Sequence, residues 1–416
     1  MNRSEAPKLK QTEHISIIAP KISSKFPVPF YYMKEVPNAT SRLELYFNAG
    51  TIHGKIGLAS VVSGLLLSGT KDMNSTEIHT KLDNLGAYTD VSIVHESVII
   101  TLYGLNDHLT EISSLYINSL SNTDFKQNEI DELLADRKQK LKINFEKVSF
   151  LAQREFTKNL FFKSKYGRVI EEQDYDFLTR EEIIDFHTAH YLKGLYKVVL
   201  VGDFSESKVV KMQDLLSPLC VAKFPSFPNK LMNKAGRFSV PKERALQTAI
   251  RIGRIMFTRR HPDYIPFVIL NTILGDYFGS RLMSNLREEK GYTYGINSMI
   301  SEHLNTGYFF IATEVAAEHK ESALKEICLE LKKLQTELVE SNELELVKNY
   351  LLGQLLKSAD GPYAMTDLFV HLQNYGQDID YYNQYIHEIN EISAEKLLLC
   401  AKKYLNWDDL TIVTAG

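Results

Sequence analysis

Cysteine is scarce in this chain. Cys220, Cys328 and Cys400 are the only three in 416 residues. They form no Cys-x-x-Cys pair and are odd in number, which argues against a disulfide framework and against a cysteine zinc site. They read as buried free thiols, and unpaired thiols fit a reducing compartment. Long apolar runs are also missing, so no membrane span is expected. The opening stretch, MNRSEAPKLKQTEHISIIAPK, has charge but lacks the apolar core of a secretory signal. The expected location is the cytoplasm, or the periplasm if a signal peptide has been removed. An excess of one charge is absent too: the net charge is −4, both signs are interspersed, and no basic patch suggests nucleic acid. With 12 prolines and 21 glycines there is no room for a long disordered region. What remains is an ordinary globular composition, 44% hydrophobic and 24% charged, at a length that favours two domains.

The two halves of the chain echo each other. LTREEIIDFHTAHYLKGLYKVVLVGDF (178–204) and ISAEKLLLCAKKYLNWDDLTIVTAG (392–416) each open with a hydroxyl N-cap, Thr179 or Ser393. Each continues as an amphipathic helix to a Tyr-Leu pair and closes in a β-branched strand. SRLELYFNAGT (41–51) alternates Leu43, Leu45 and Phe47, which is strand periodicity, and LQTAIRIGRIMF (246–257) is its counterpart. Helices follow both, then paired strands over 88–105 and 292–315, then long charged helices around 126–160 and 318–358. The pattern predicts an α+β fold of two duplicated domains, each a mostly antiparallel sheet with helices packed on one face. The expected boundaries are 1–218, a proline-bearing linker at 219–236, and 237–416.

One helix is odd. GLASVVSGLLLSG (57–69) places Leu58, Val61, Val62, Leu65 and Leu66 on one buried face, while the other side reads Ser60, Ser63, Gly64. A mid-helix glycine costs about 1 kcal/mol relative to alanine.

The second half carries LGDYFGSRLMSNLREEKGYTYGI (274–296). With the duplication, this stretch resembles the insulinase (pitrilysin) family of zinc peptidases, in the branch of bacterial relatives of mitochondrial processing peptidase. The resemblance covers nearly the whole chain and implies a metallopeptidase-like fold, of the LuxS/processing-peptidase-like kind. Where that family writes Gly-x-x-His-x-x-Glu-His and later Gly-Thr, this chain keeps Gly57, Gly69 and Thr70 but has Ser60, Ser63 and Gly64 at the chemical positions. The family's third ligand, a glutamate, aligns with Lys140. Zinc needs imidazole, thiolate or carboxylate donors, and a glutamate base is needed to activate its water. The resemblance therefore implies no catalytic zinc, no cofactor in this chain and no hydrolysis by it alone.

The same resemblance implies a retained half-site. Arg287 and Tyr294 match the pair that binds the scissile carbonyl and the developing oxyanion, a task suited to preorganised donors. Tyr292 is a weaker candidate, and an ordinary Arg287 ion pair with Glu288 or Glu289 is the plain alternative. The expected function is the non-catalytic subunit of a heterodimeric zinc peptidase, its partners being a peptide substrate and a zinc-bearing family subunit. The alternative is a structural or scaffold pseudopeptidase that self-dimerises. An autonomous peptidase with a relocated metal ranks below both. Strand 87–94 lies where the family presents an edge to extended peptide, although it also reads as a plain strand. The His187-x-x-His190 pair is a weak metal candidate, and His95-Glu96 and Glu302-His303 are poor acid–base pairs, because neighbours on a strand face opposite ways. No glycine-rich loop is seen, which argues against presequence processing in particular.

Overall fold

Alternating apolar residues build two sheets. The computed structural model describes residues 14–34, 36–221 and 231–416. The first sheet contains β1 (Lys21–Ile22), β2 (Phe30–Met33), β3 (Thr40–Phe47), β4 (Tyr88–Ile93), β5 (Val98–Leu105) and β6 (Leu195–Val201), in the order β1-β2-β6-β3-β5-β4. The second contains β7 (Gly236–Val240), β8 (Gln247–Met256), β9 (Ile296–Glu302), β10 (Gly307–Ala316) and β11 (Thr411–Ala415), in the order β7-β11-β8-β10-β9. Without β1, the two orders are the same topology. In each sheet one pair is parallel, β2 with β6 and β7 with β11, and the other pairings are antiparallel. The duplication read from local motifs is thus a duplication of fold, and the architecture is two-domain α+β. Of the predicted linker, residues 222–230 lie outside the described residues.

The closing strands β6 and β11 are buried along their whole length. They are the Val- and Ile-rich runs of each half, and central strands with both faces covered favour continuous apolar sequence. One face of the first sheet, with Leu43, Leu45 and Phe47, packs on the helices of its own half, including Leu58–Leu65 and Arg180–His190. The corresponding face of the second sheet, with Ile250, Ile252 and Ile311, packs on Tyr264–Gly275 and its neighbours.

The expectation of helices on one face holds within each half but misses a second layer. The other face of the first sheet, Tyr31, Met33, Val199 and Val201, is covered by Phe369 and Val370 of helix Gly361–Gln373, from the second half. The other face of the second sheet, Ala249, Val413 and Ala415, is covered by Ala152, Phe156 and Leu160 of helix Val148–Leu160, from the first. Each half lends one helix to the other. Among the thiols, only Cys400 is buried. Cys220 and Cys328 are half-buried, and all three are free. No helix among the described residues is long and apolar enough to cross a membrane.

Candidate functional site

The small-residue helix starts at Leu58, directly after Gly57, whose φ of +90° is backbone that favours glycine. Its polar side is packed rather than bare. Ser60 Oγ donates to Gly57 O at 2.9 Å, and its hydroxyl also pairs with Tyr175. Ser63 is buried; its hydroxyl donates to Ala59 O at 2.6 Å and lies 2.7 Å from Tyr191 OH. A Cβ at Gly64 would lie 3.0 Å from Leu133 Cδ2 and 3.3 Å from Arg137 Nη2, so helix Gln127–Phe145 approaches here on glycine's account. Thr70 accepts from the backbone N–H of Asp72 and Met73 at 3.2 and 3.1 Å and closes the following turn.

Lys140 does not stand over this face. Its side chain is largely exposed and its Nζ lies 2.7 Å from Asp136 Oδ2, one turn back on the same helix. The residues that meet Gly64 are Leu133 and Arg137. A helix shows one face per turn, and the packing at Gly64 sets which residues share that face. Arg137 is the residue that reading the sequence missed. Among the described residues no group of three His, Cys, Asp or Glu side chains could hold a metal. His187 and His190 are occupied separately: His187 Nε2 sits 2.8 Å from Leu120 O and His190 Nδ1 2.6 Å from Asn48 O. The arrangement at 60–64 can close a helix–helix contact. It offers a cation no nitrogen or carboxylate donor.

A cavity of about 430 Å³ opens beside this helix, bounded by Ser63, Gly64, His79, Thr89, Val91 and Glu132. Thr89 and Val91 belong to β4, the last strand of its sheet. Among the described residues β4 pairs with β5 on one side only, and every residue along it is partly or fully exposed. The 87–94 segment is therefore an edge strand, which leaves a row of backbone donors and acceptors for an extended chain.

In the second half, Arg287 lies in a π-helical turn, Met283–Glu289, where Lys290 N bonds Asn285 O at 3.0 Å. Such widened turns recur at functional sites. The turn is fixed from inside by Asn285, which donates to Glu330 at 2.7 Å, and by Arg281, which holds Glu343 through two bonds of 2.9 and 2.7 Å. The guanidinium of Arg287 sits 4.7 Å over the exposed Phe278 ring and 3.5 Å from Glu288. The loop after it is pinned by Thr293, whose hydroxyl donates to Glu314 O at 2.8 Å. Tyr292 packs inward against His319, with ring centroids 4.6 Å apart. Tyr294 projects into solvent and is 94% exposed. The two tyrosines thus differ: Tyr292 packs and Tyr294 is exposed.

A third cluster was not visible in the sequence. His95 and Glu96 face His303 across the two halves: the imidazoles are 4.8 Å apart and His303 Nδ1 is 3.7 Å from Glu96. Tyr166 OH donates to Glu96 at 2.9 Å. Burial holds His95 down to about 4 and His303 to about 3, with His95 opposing His303 further. These neutral imidazoles and the hydrogen-bonded carboxylate line a cavity of about 440 Å³ where the halves meet.

With this geometry in view, the comparisons with known proteins are consistent. Residues 31–169 match the model for "Insulinase (Peptidase family M16)" and residues 178–351 match "Peptidase M16 inactive domain". An uncharacterized zinc protease of Rickettsia bellii is 22% identical over 311 residues, 73% of this chain and 74% of its own. The non-peptidase homolog YmxG of Helicobacter pylori is 22% identical over 374 residues, 86% of this chain and 84% of its own. The crystal structure of a peptidase M16 inactive domain from Pseudomonas fluorescens superposes with a TM-score of 0.84 at 22% identity, over 97% of this chain and 98% of that one. The frame around residues 57–70, the duplicated sheets and the Arg287 loop thus have their counterpart in one family, and this chain belongs to the insulinase family, peptidase family M16.

Proposed function

We propose that this chain is the non-catalytic subunit of a heterodimeric zinc peptidase. It binds peptide and presents Arg287 and Tyr294 to a zinc site carried by a partner subunit. The observation that carries the reading is the asymmetry between the halves. The 60–64 helix face is closed by Tyr175, Tyr191, Leu133 and Arg137 and carries no metal donor. The 287–294 loop holds a guanidinium and a phenol at the surface, on a rigidly supported turn.

The chemistry follows from what these groups are. A zinc ion with bound water supplies the nucleophile and polarises the carbonyl, and that work belongs to the partner. Arg287 and Tyr294 donate hydrogen bonds where negative charge develops on the carbonyl oxygen, and such donors contribute most when water is excluded. In the isolated chain Tyr294 is solvated and Arg287 is partly exposed, so they are effective only once another surface covers them. The unpaired edge of β4 supplies main-chain pairing to an extended peptide without regard to its sequence.

The test is hydrolysis of a peptide by the mixture of this chain with a family member from the same organism that carries His-x-x-Glu-His. Arg287→Ala is expected to lower kcat by about a hundredfold, the usual loss of one oxyanion donor, with the complex intact. Unchanged hydrolysis would remove the proposed role. The second reading, a scaffold that pairs with its own copy, draws on the relative described as a non-peptidase homolog and on the exposed Phe278 and Tyr294. A self-dimer that ignores the zinc-bearing relative would favour it.

A further inference from the structure

Strand β6 reads LYKVVLV and is buried throughout, yet it carries a lysine. Strand periodicity puts Lys197 on the face of Val199 and Val201, which helix Gly361–Gln373 of the second half covers. Lys197 is 5% exposed and is the one buried lysine among the described residues. Other buried charges are matched: Arg42 holds Asp367, Arg154 holds Glu171 and Glu330 holds Lys333. Lys197 has no ion-pair partner among the described residues. Its Nζ donates to Asn374 Oδ1 at 2.7 Å and lies 3.9 Å from the centre of the Tyr46 ring. Glu44, the carboxylate that acts on it, is engaged by Arg42 and by Tyr46 OH.

An ammonium taken out of water without a counter-ion is costly, so burial favours the neutral amine. Lys197 is lowered to about 7 by burial, against the pull of Glu44. A neutral amine carries a free electron pair, and lysines desolvated in this way attack carbonyl carbon. The amine also stands at a cavity. The space of about 440 Å³ where the halves meet is lined by Lys197 and by both groups that touch its Nζ, Asn374 and Tyr46. That volume suits a small molecule. Further aromatic walls come from Tyr196, Tyr308 and Tyr375. Its carboxylates are already engaged: Glu96 accepts from Tyr166 OH and Leu304 N, and Glu302 from Arg259 and Tyr264 OH. Their negative charge opposes an anionic guest. His371 lines the same cavity, close enough to feel the charge of Lys197, and its lowered pKa of about 4 leaves a neutral imidazole able to accept a proton.

We propose that Lys197 is a carbonyl-capturing residue and that the cavity between the halves holds a small, uncharged aromatic aldehyde as an imine. Lys197 Nζ adds to the carbonyl carbon, and one N–H proton passes by way of His371 to the carbonyl oxygen, giving a carbinolamine. The hydroxyl then leaves with the remaining N–H proton as water, and a C=N bond stands in place of the C=O bond. Amine and aldehyde become imine and water, with nothing oxidised or reduced. The site uses neither Arg287 nor Tyr294, so it stands whether or not the chain joins a zinc-bearing partner.

The experiment treats the purified full chain at pH 7.5 with benzaldehyde and sodium cyanoborohydride, which fixes each imine as a benzylamine. Digestion and mass spectrometry then give the rate of labelling at every lysine. An exposed lysine titrates near 10.4, so only about one in a thousand is free amine at this pH. Lys197 is expected to be labelled about tenfold faster than the exposed lysines, or more, and to lose that lead in the urea-unfolded chain. With 4-carboxybenzaldehyde, the same ring bearing a charge, labelling of Lys197 is expected to be about tenfold slower than with benzaldehyde, while exposed lysines take both alike. Lys197 labelled no faster than exposed lysines in the folded chain overturns the site. A lead that persists in urea overturns it too, since the cavity would then play no part. Equal labelling of Lys197 by the two aldehydes overturns the uncharged class. All of these readings come from the native sequence, so none depends on a variant that folds.

Discussion

A side chain at Gly64 would press on the ends of Leu133 and Arg137, its Cβ 3.0 Å from Leu133 Cδ2 and 3.3 Å from Arg137 Nη2. Gly64→His alone is therefore expected to destabilise the fold by about 1–3 kcal/mol, the cost of overpacking, measurable as a lower urea midpoint. Restoring Ser60→His, Ser63→Glu and Gly64→His together is expected to yield no tight zinc. The third donor is still absent, and a guanidinium sits against the position of the second histidine. Adding Arg137→Glu to those three removes that charge and supplies an oxygen donor from the facing helix. The fourfold variant is expected to bind about one zinc per chain by metal analysis. Zinc bound tightly by the threefold variant would contradict the placement of Arg137. That residues 60–64 carry no metal donor is plain from residue types alone, since serine and glycine offer a cation no nitrogen or carboxylate. The facing residue is not. Choosing between Lys140 and Arg137 requires the register of two packed helices, and that register is set by the close approach at Gly64.

At the scale of elements, the two halves are joined by exchange. Helix Gly361–Gln373 lies on the first sheet and helix Val148–Leu160 on the second. The first contact is fastened by Arg42, which is buried on β3, holds Asp367 through both guanidinium nitrogens, and lies 5.3 Å from the Tyr363 ring. Asp367→Ala leaves Arg42 with Glu44, 3.4 Å away, and the side chain of Tyr103. A loss of about 1–3 kcal/mol is expected, because Asp367 is itself half exposed while the arginine it satisfies is not. A stability equal to wild type in denaturant titration would show the contact to be incidental. The strands themselves were legible: Leu43, Leu45 and Phe47 alternate in the sequence and are all fully buried in one core. The capped helices before the closing strands were legible too, Thr179 and Ser393 both accepting from the third residue on. The exchange was not, because an apolar stripe shows that a helix is covered and not which sheet covers it. The seam of His95, Glu96 and His303 stayed hidden for a similar reason: about two hundred residues separate its members, and it forms only once that exchange brings the halves together.

For the whole molecule, the abundance of buried imidazole has a consequence in acid. Burial holds His53, His95, His187 and His371 down to about 4 and His303 to about 3, and lowers His190 as well. In the unfolded chain each titrates near 6.5. The unfolded chain therefore binds more protons across this window. Stability is fully present above about pH 6.5 and is lost as pH falls toward 4. Urea midpoints are expected to fall from pH 7.5 to pH 5.0, with the decline continuing to pH 4. An unchanged or higher midpoint at pH 5.0 would mean that these imidazoles are solvated. In the proposed reading the two halves that share this seam also divide the chemistry: one carries no metal donors at 60–64 and the other displays Arg287 and Tyr294. The most direct test of that division is to titrate this chain into a zinc-bearing family member from the same organism, following peptide hydrolysis and the zinc content of each subunit. Hydrolysis is predicted to rise and saturate at one chain per partner, with the zinc on the partner alone. One equivalent of zinc on this chain with hydrolysis in the partner's absence, or no rise at any ratio, would contradict the account.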